Sequence, residues 1–585
     1  MLLRNDARFK FSALAIAISL GLTACGGDSD NNNNAGGETG SPQMERLTRI
    51  ATLPLGAEAT GLYLKADGEV FTNIQHPSNG NTATDAEGNV YSYATVGIIE
   101  GMDVNQPFEA LALPESDEEK QIMRVAGGRY NVLGQQGDVW AGAPDPGLGG
   151  IAVKDGSALI RVSNDPDFNG WVEVSENEGY LFTNWEDRPG GMSRLHLVRT
   201  EDGKWEIQGN DASMVDFSAV KGTWVNCFGT VSPWHTPLTS EELYFDNTIN
   251  WNSPNQGAVQ DLADYLAGEI NTDYTATYPN PYDYGYIVEI TNPTGTPTPV
   301  KHFTLGRYSH ENAVVMPDQK TVYMSDDGGS VILFKFVADT AGDLSSGTLY
   351  AAKVEQDQVH MDAAEAGFDI SWIELASSNN ADIESWVDEY DPITTADYVD
   401  GANRYISDQQ INDWAESKLN QDLDDSGDVA ANPFADDRVA FLESRKAATK
   451  LGATGEFNKM EGINVNVARA QASVEAGGEQ AYVYVAMSDI SGAMTDTSGL
   501  VQLTNDDANC GGVFRMPLEA GYDVSRLEMV ELGGPYDPTD PANTCSVDGL
   551  SGPDNVAVMD DGRVLIGEDT GGHENNMVWL LDPEA

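Results

Sequence analysis

Apolar residues rarely recur at helical spacing along this chain. A different pattern returns: a turn-forming pair, a short β-branched or aromatic run, then polar side chains. It reads Asp67-Gly68-Glu69-Val70-Phe71-Thr72-Asn73 followed by Gln75-His76, and again Glu178-Gly179-Tyr180-Leu181-Phe182-Thr183-Asn184-Trp185-Glu186. Further copies are Thr321-Val322-Tyr323-Met324-Ser325-Asp326-Asp327-Gly328, the run from Gln480 to Asp489, and Asp561-Gly562-Arg563-Val564-Leu565-Ile566-Gly567-Glu568-Asp569. Gly and Asp open tight turns, and the runs between them favour strands. Irregularly spaced copies of this kind predict an all-β fold, a β-propeller of about six blades with loop insertions. Equivalent strand ends would then share one face around the axis. Asn73, Gln75, His76, Asn184, Glu186, Asp326, Asp327, Asp489, Glu568 and Asp569 are expected to converge there. In any single copy an ordinary strand-to-turn transition accounts for Asn and Asp; the set points to convergence.

One region departs from the pattern. Residues 381–450 are rich in Ala, Asp and Glu, and the spacing predicts helices over Asp408–Leu419 and Asp437–Lys450. Val439, Phe441, Leu442, Ala447 and Ala448 would form one apolar face of the second. This reads as a helical insertion on the propeller. Within it, Asp422-Leu423-Asp424-Asp425-Ser426-Gly427-Asp428 imitates the start of a calcium-binding EF-hand loop, but its twelfth position is Pro433 where a bidentate Glu is required. A solvated acidic turn is the expected structure, with a weak calcium site as the alternative.

Charge narrows the function. Among 585 residues, 93 acidic against 32 basic side chains give a formal net charge of −61. Such a field repels nucleic acid and anionic lipid headgroups and attracts divalent cations. General surface acidity in a salty habitat produces the same balance. An anionic substrate needs a local cationic centre to overcome it. At the N-terminus, Arg4, Arg8 and Lys10 precede an apolar run from Phe11 to Leu22 that ends in Leu22-Thr23-Ala24-Cys25. Basic, apolar, then small residues form a secretory signal, here too short for a membrane span. Leu-Thr-Ala-Cys resembles the lipobox of bacterial lipoproteins, so residues 1–24 are expected to be a signal peptide and Cys25 the lipidated N-terminus. Gly26 behind it fits sorting to the outer membrane of a Gram-negative bacterium. Residues 25–45 read as a flexible tether and 46–585 as the propeller. The expected membrane contact is through this lipid alone.

Three further cysteines are Cys227, Cys510 and Cys545. Export permits disulfides, and Cys510 and Cys545 share the C-terminal region, which makes them the expected pair and leaves Cys227 free. Cys227 lies in Gly222–Glu242, with Gly229, Pro233 and Pro237 between it and the pair Glu241-Glu242. That composition reads as a constrained loop. A thiolate suits a transition metal and carboxylates suit hard cations; taken alone, this loop reads rather as a buried thiol beside solvated glutamates, and the rest of the chain shifts that reading toward metal. Gly306-Arg307-Tyr308-Ser309-His310-Glu311-Asn312, Phe457-Asn458-Lys459-Met460-Glu461-Gly462 and Gly552-Pro553-Asp554-Asn555 add further polar clusters. In extended chain Lys459 and Glu461 face one way, as a surface ion pair also would. No nucleophile elbow, zincin helix, phosphate-binding loop or dinucleotide fingerprint occurs.

Taken in order, these motifs resemble the PhoX family of bacterial alkaline phosphatases. Asn184-Trp185-Glu186, Asn226-Cys227 with Thr239-Ser240-Glu241-Glu242, and Gly306–Glu311 are similar to that family's motifs. So are Leu451-Gly452-Ala453-Thr454 leading to Glu461-Gly462, and Ser551–Asn555. The resemblance implies a propeller phosphomonoesterase that uses calcium and iron on a small phosphorylated substrate. By matching motif, Glu186, Cys227, Glu241 or Glu242, Glu311 and Glu461 would ligate metal. Lys459 would steady phosphate where the family has Arg. Trp185 replaces a His, Ser240 a Cys, and Lys459-Met460 an Arg-Pro. The family's twin-arginine export signal is absent. Val70–Pro77 matches a segment near the C-terminus of typical members, which predicts a permuted chain whose N-terminal strands close the ring beside Gly552–Leu581. The expected function is a cell-envelope metal-dependent phosphoesterase. The alternatives are a non-catalytic calcium-stabilised propeller that binds a surface partner, and a lactonase-like propeller with one central metal.

Overall fold

All five copies of the repeat are strands: Val70–Gln75, Glu178–Trp185, Thr321–Asp326, Tyr482–Met487 and Val564–Glu568. The computed structural model describes residues 46–140, 147–242, 247–255 and 257–585. The expected signal peptide, lipidation site Cys25 and tether lie outside the described residues. Each repeat strand is the second of an antiparallel set. Its first strands are Glu58–Leu64, Pro166–Ser175, His310–Val315, Met460–Asn464 and Pro553–Val558. A further hairpin of the same kind, Asn226–Val231 with Pro237–Glu241, is the stretch expected to be a constrained loop. It is strand because Pro233 and His235 (φ +65°) confine the turn, which Ser232 N–H closes by donating to Thr236 O at 2.8 Å. Pro237 stands at the first residue of its strand, where a missing N–H is tolerated. Its Cys, Thr and Ser positions hid it from a search for apolar runs.

These first strands touch one another in a closed cycle, from Glu58–Leu64 through Pro166–Ser175, Asn226–Val231, His310–Val315 and Met460–Asn464 to Pro553–Val558, and back. Mostly antiparallel sheet, the fold is propeller-like. The chain closes it as the permuted order predicts. Leu47–Thr52 pairs antiparallel with Met577–Leu581, from Leu47 with Leu581 to Thr52 with Met577, with one register shift at Ile50. Ile50, Ala51, Val578 and Leu580 bury this seam, each large apolar side chain contributing roughly 1.5–3 kcal/mol relative to exposure. One sheet is anomalous. Gly367–Asn379 pairs along Asp343–Gln356 and then with Arg526–Leu532, fusing two neighbouring sets into nine strands.

Helices fill the predicted insertion: Asn380–Asp388, Asp408–Leu419, Arg438–Leu442 and Ser444–Lys450. Asp408–Leu419 starts at a Ser407–Gln410 capping box. The expected single helix over 437–450 is two. It breaks at Glu443 (φ −132°, ψ 45°), whose carboxylate accepts the Tyr282 hydroxyl at 2.6 Å. Val439, Phe441, Leu442, Ala447 and Ala448 are all buried, as read. The EF-hand-like stretch is an acidic turn, in which Asp422 accepts the N–H groups of Asp424, Ser426 and Gly427. The insertion also reaches the ring, where Arg445 pairs with Asp326 and the Ser444 hydroxyl accepts Arg307 N–H.

Candidate active site

The site follows from a rule repeated around the ring. Each first strand begins with a residue paired to the end of its second strand: Pro166 with Trp185, Asn226 with Glu241, His310 with Asp326, Met460 with Met487, Pro553 with Glu568. In these five sets the functional groups stand one residue further on each strand: Asp167 and Glu186, Cys227 and Glu242, Glu311 and Asp327, Glu461 and Ser488, Asp554 and Asp569; in the sixth the paired ends Glu58 and Gln75 themselves face the site. The ladder loses register beside each of the five pairs. A bulge of this kind bends the strand and re-aims its side chain, here toward the axis.

Except for Ser488, these side chains line one cavity of about 230 Å3, together with Glu58, Gln75 and Lys459. Cys227 Sγ lies 3.2 Å from Asp167 Oδ2, 3.4 Å from Glu311 Oε2 and 3.5 Å from Glu186 Oε1. Gln75 Nε2 donates to Glu186 Oε1 at 3.1 Å, and the Ser488 hydroxyl to Glu461 Oε1 at 2.6 Å. Lys459 has φ +48° and is pinned by its own N–H to Gly328 O; its Nζ sits 2.8 Å from Asp327 and 3.0 Å from Glu461. Ligand atoms gather into three overlapping groups: Asp167, Glu186 and Cys227; Cys227, Glu242 and Glu311; Glu311, Glu461 and Asp554.

The electrostatics are those of a cation site. Glu186, Glu242, Glu311, Asp554 and Asp569 are all held well above the usual carboxylate range, first by burial and then by neighbouring carboxylates. Asp167 and Glu461 are pushed up to about 7, chiefly by burial. Burial, then Glu186, raises the Cys227 thiol. Burial opposes the charge on Lys459, but Glu461 and Asp327 raise its pKa further. His76, with Nε2 2.5 Å from Glu58, brings that cavity carboxylate below its usual range against burial, with smaller contributions from Asp569 and Lys459. Glu311 Oε1, Asp554 Oδ1 and Gln75 Oε1 are buried acceptors with no hydrogen-bond partner. Orphaned acceptors and mutually repelling carboxylates fit several bound cations, with oxygen donors for hard ions and one thiolate for a softer one.

The structure sorts the expected residues. Glu186, Cys227, Glu242, Glu311, Lys459 and Glu461 meet at the cavity. Glu241 does not: it points the other way along its strand. Its carboxylate accepts N–H groups from Trp224, Gly285 and Tyr286 and pairs with buried Lys301 at 3.0 Å. Among the strand ends, Gln75, Glu186, Asp327 and Asp569 converge, while Asp326 is taken by Arg445, Asp489 by Asn458 and Ser491, and Glu568 by His573 and Trp579. The motif asparagines are bolts between sets: Asn312 bonds both backbone groups of Ile463, Asn555 accepts Gly61 N–H, and Asn184 and Asn73 donate to Cys227 O and Asp167 O. Trp185 is core, its indole N–H on Ser193 Oγ at 3.0 Å. Asp167, Glu58 and Asp554 were not foreseen as ligands. Asp554 was visible within a quoted motif, whereas Asp167 follows a proline and gives no local signal.

A family model for alkaline phosphatase PhoX matches residues 200–582. The chain belongs to that family. It is accordingly a phosphatase, a hydrolase. Pseudomonas fluorescens PhoX, solved in complex with vanadate, a transition state analogue, shares its fold. The two are 18% identical, with 92% of this chain and 88% of that one covered at a TM-score of 0.51. A Trichoderma reesei carbohydrate-active enzyme of family AA12 is 10% identical over 93% of this chain and 100% of its own, at a TM-score of 0.31 that carries no argument. No curated protein matches the chain. The expected Cys510–Cys545 disulfide is present and Cys227 is free and buried.

The two neighbouring glutamates separate in a stability measurement. Glu241→Ala strands the Lys301 ammonium, which is 3% exposed, and is expected to cost about 3–5 kcal/mol. Urea unfolding should show this; a loss below about 1 kcal/mol would refute the structural role.

Proposed function

We propose that this protein is a calcium-dependent phosphomonoesterase of the cell envelope, built on a six-bladed ring, with iron held beside Cys227. The observation that carries the metal reading is the chain of three overlapping ligand groups joined through Cys227 and Glu311. Asp167, Glu186, Cys227, Glu242, Glu311, Glu461 and Asp554 would hold the ions. Bound cations would supply charge neutralisation at the phosphoryl oxygens and Lewis acidity. Lys459 does the remaining positioning: its ammonium is 37% exposed at the cavity, fixed by two carboxylates, and directs a point charge toward a phosphate oxygen. Glu461 holds that ammonium in place while its other neighbours complete a ligand group. The substrate is a small phosphomonoester. Cys25 would anchor the protein in the outer membrane.

Hydrolysis of p-nitrophenyl phosphate at alkaline pH, in excess calcium and then in chelator, tests this directly. Turnover is expected with calcium and should vanish on chelation. No turnover from folded, calcium-loaded protein would sink the reading in favour of a binding propeller. Cys227→Ala is expected to abolish turnover and to remove transition metal measured by elemental analysis, without unfolding the ring. Retained activity would refute the thiolate's role.

A further inference from the structure

Cations around the cavity are neutralised at close range. Lys459 is paired with Asp327 and Glu461, Arg445 with Asp326, His76 with Glu58, and Arg161 with Asp187 at 2.8 Å. Arg188 is different. Among the described residues its guanidinium has no hydrogen bond or ion pair; its close partner is the ring of Trp224, 5.1 Å from Cζ. That ring is a rigid seat, 2% exposed and packed against Trp251 at 5.6 Å and Tyr284 at 6.2 Å.

The backbone ties this arginine to the rim of the site. Val225 N–H donates to Asp187 O, Gly190 N–H to Thr223 O, and Glu242 N–H to Val225 O. Arg188 therefore lies two residues past Glu186, against the segment that leads into Cys227 and Glu242. Burial pulls its pKa down, and Glu242, Asp187 and Glu186 pull it up. In a chain of net charge −61, a half-buried guanidinium with no direct ion pair is only partly compensated for its desolvation, by those carboxylates at longer range. Stacking on Trp224 offsets part of it and leaves the planar fork preorganised for a carboxylate or phosphate.

Arg188 is outside the cavity lining, two residues along the chain from Glu186, which lines it. We propose that Arg188 is an anion subsite for the leaving group, and that the preferred substrates are phosphomonoesters carrying a second negative group, carboxylate or phosphate, on the alcohol portion. This rests on the phosphatase reading above. It also explains how a dianionic or trianionic ester overcomes the global field.

Calorimetric binding of phenylphosphonate and of (4-carboxyphenyl)phosphonate to the calcium-loaded protein tests the proposal without catalysis. The wild type is expected to bind the carboxylated ligand about tenfold more tightly, the scale of one charge-assisted hydrogen bond. Arg188→Met keeps an apolar stem on Trp224 and should abolish that preference while changing phenylphosphonate affinity less than about twofold. Arg188→Lys should keep only part of it. Absence of a preference in the wild type, its survival in Arg188→Met, or failure of both ligands to bind would overturn the subsite. A preference without turnover of p-nitrophenyl phosphate would keep the subsite and sink the phosphatase reading; turnover without a preference would do the reverse.

Discussion

Glu311→Gln is expected to reduce phosphomonoester hydrolysis by at least about 10³-fold, the scale of losing a central electrostatic stabiliser. Glu311 belongs to two of the three ligand groups, with Cys227 and Glu242 on one side and Glu461 and Asp554 on the other. One of its oxygens is 3.4 Å from Cys227 Sγ and the other is an orphaned acceptor. Gln preserves the volume and withdraws the charge, so the cations shared by those groups lose a common ligand. The metal-free variant should nonetheless unfold no more easily than the metal-free wild type, because one buried negative charge has left a repelling cluster. Those opposite effects separate a metal ligand from a packing residue. Activity within tenfold of wild type, or a metal-free variant less stable by several kcal/mol, would refute the assignment.

The second large effect is on stability against pH. Asp167 and Glu461 have folded-state pKa values raised to about 7, and five neighbours are raised further. A carboxylate whose pKa is raised by folding stabilises the fold below its ordinary value near 4, and that contribution is lost as pH rises through the folded value. In chelator the protein should therefore lose stability between pH ~4 and ~7 and beyond, by a few kcal/mol. Cation binding needs the same groups deprotonated, so the stabilisation given by calcium should grow over that range. Surface repulsion at net charge −61 acts in the same direction as the cluster. Asp554→Asn is the control: it should flatten the slope in chelator. Urea unfolding from pH 5 to pH 8 reads all of this; metal-free protein that is more stable at pH 8 would refute the account.

The strands that carry the ring were legible because a half-buried strand has a local signature. Tyr482–Met487 and Val564–Glu568 announce themselves through β-branched and aromatic runs bounded by turn residues. The Asn226–Glu241 hairpin was not legible, since Cys, Thr and Ser stand where an apolar run would signal a strand. The helix break at Glu443 was also invisible, because it answers to Tyr282, distant in sequence.

Motif order likewise brought Glu186, Cys227, Glu311, Lys459 and Glu461 into view before any geometry. Choosing between Glu241 and Glu242 needed the sheet: adjacent strand residues face opposite sides, and only the pairing of Asn226 with Glu241 tells which one reaches the axis. Asp167 became a ligand candidate because a register shift turns it toward Cys227, and Arg188 a candidate anion site because it lies over Trp224 with no ion pair among the described residues.

By itself the sequence determined the repeating strand unit, the acidic field, the site-bearing motifs and their order, all of which depend on residue type and near-neighbour spacing. Tertiary structure decided ring closure by Leu47–Thr52, the facing of each carboxylate, and which charges go unpaired. Those depend on register and on contacts between distant segments, where a shift of one residue moves a side chain from the axis to the core.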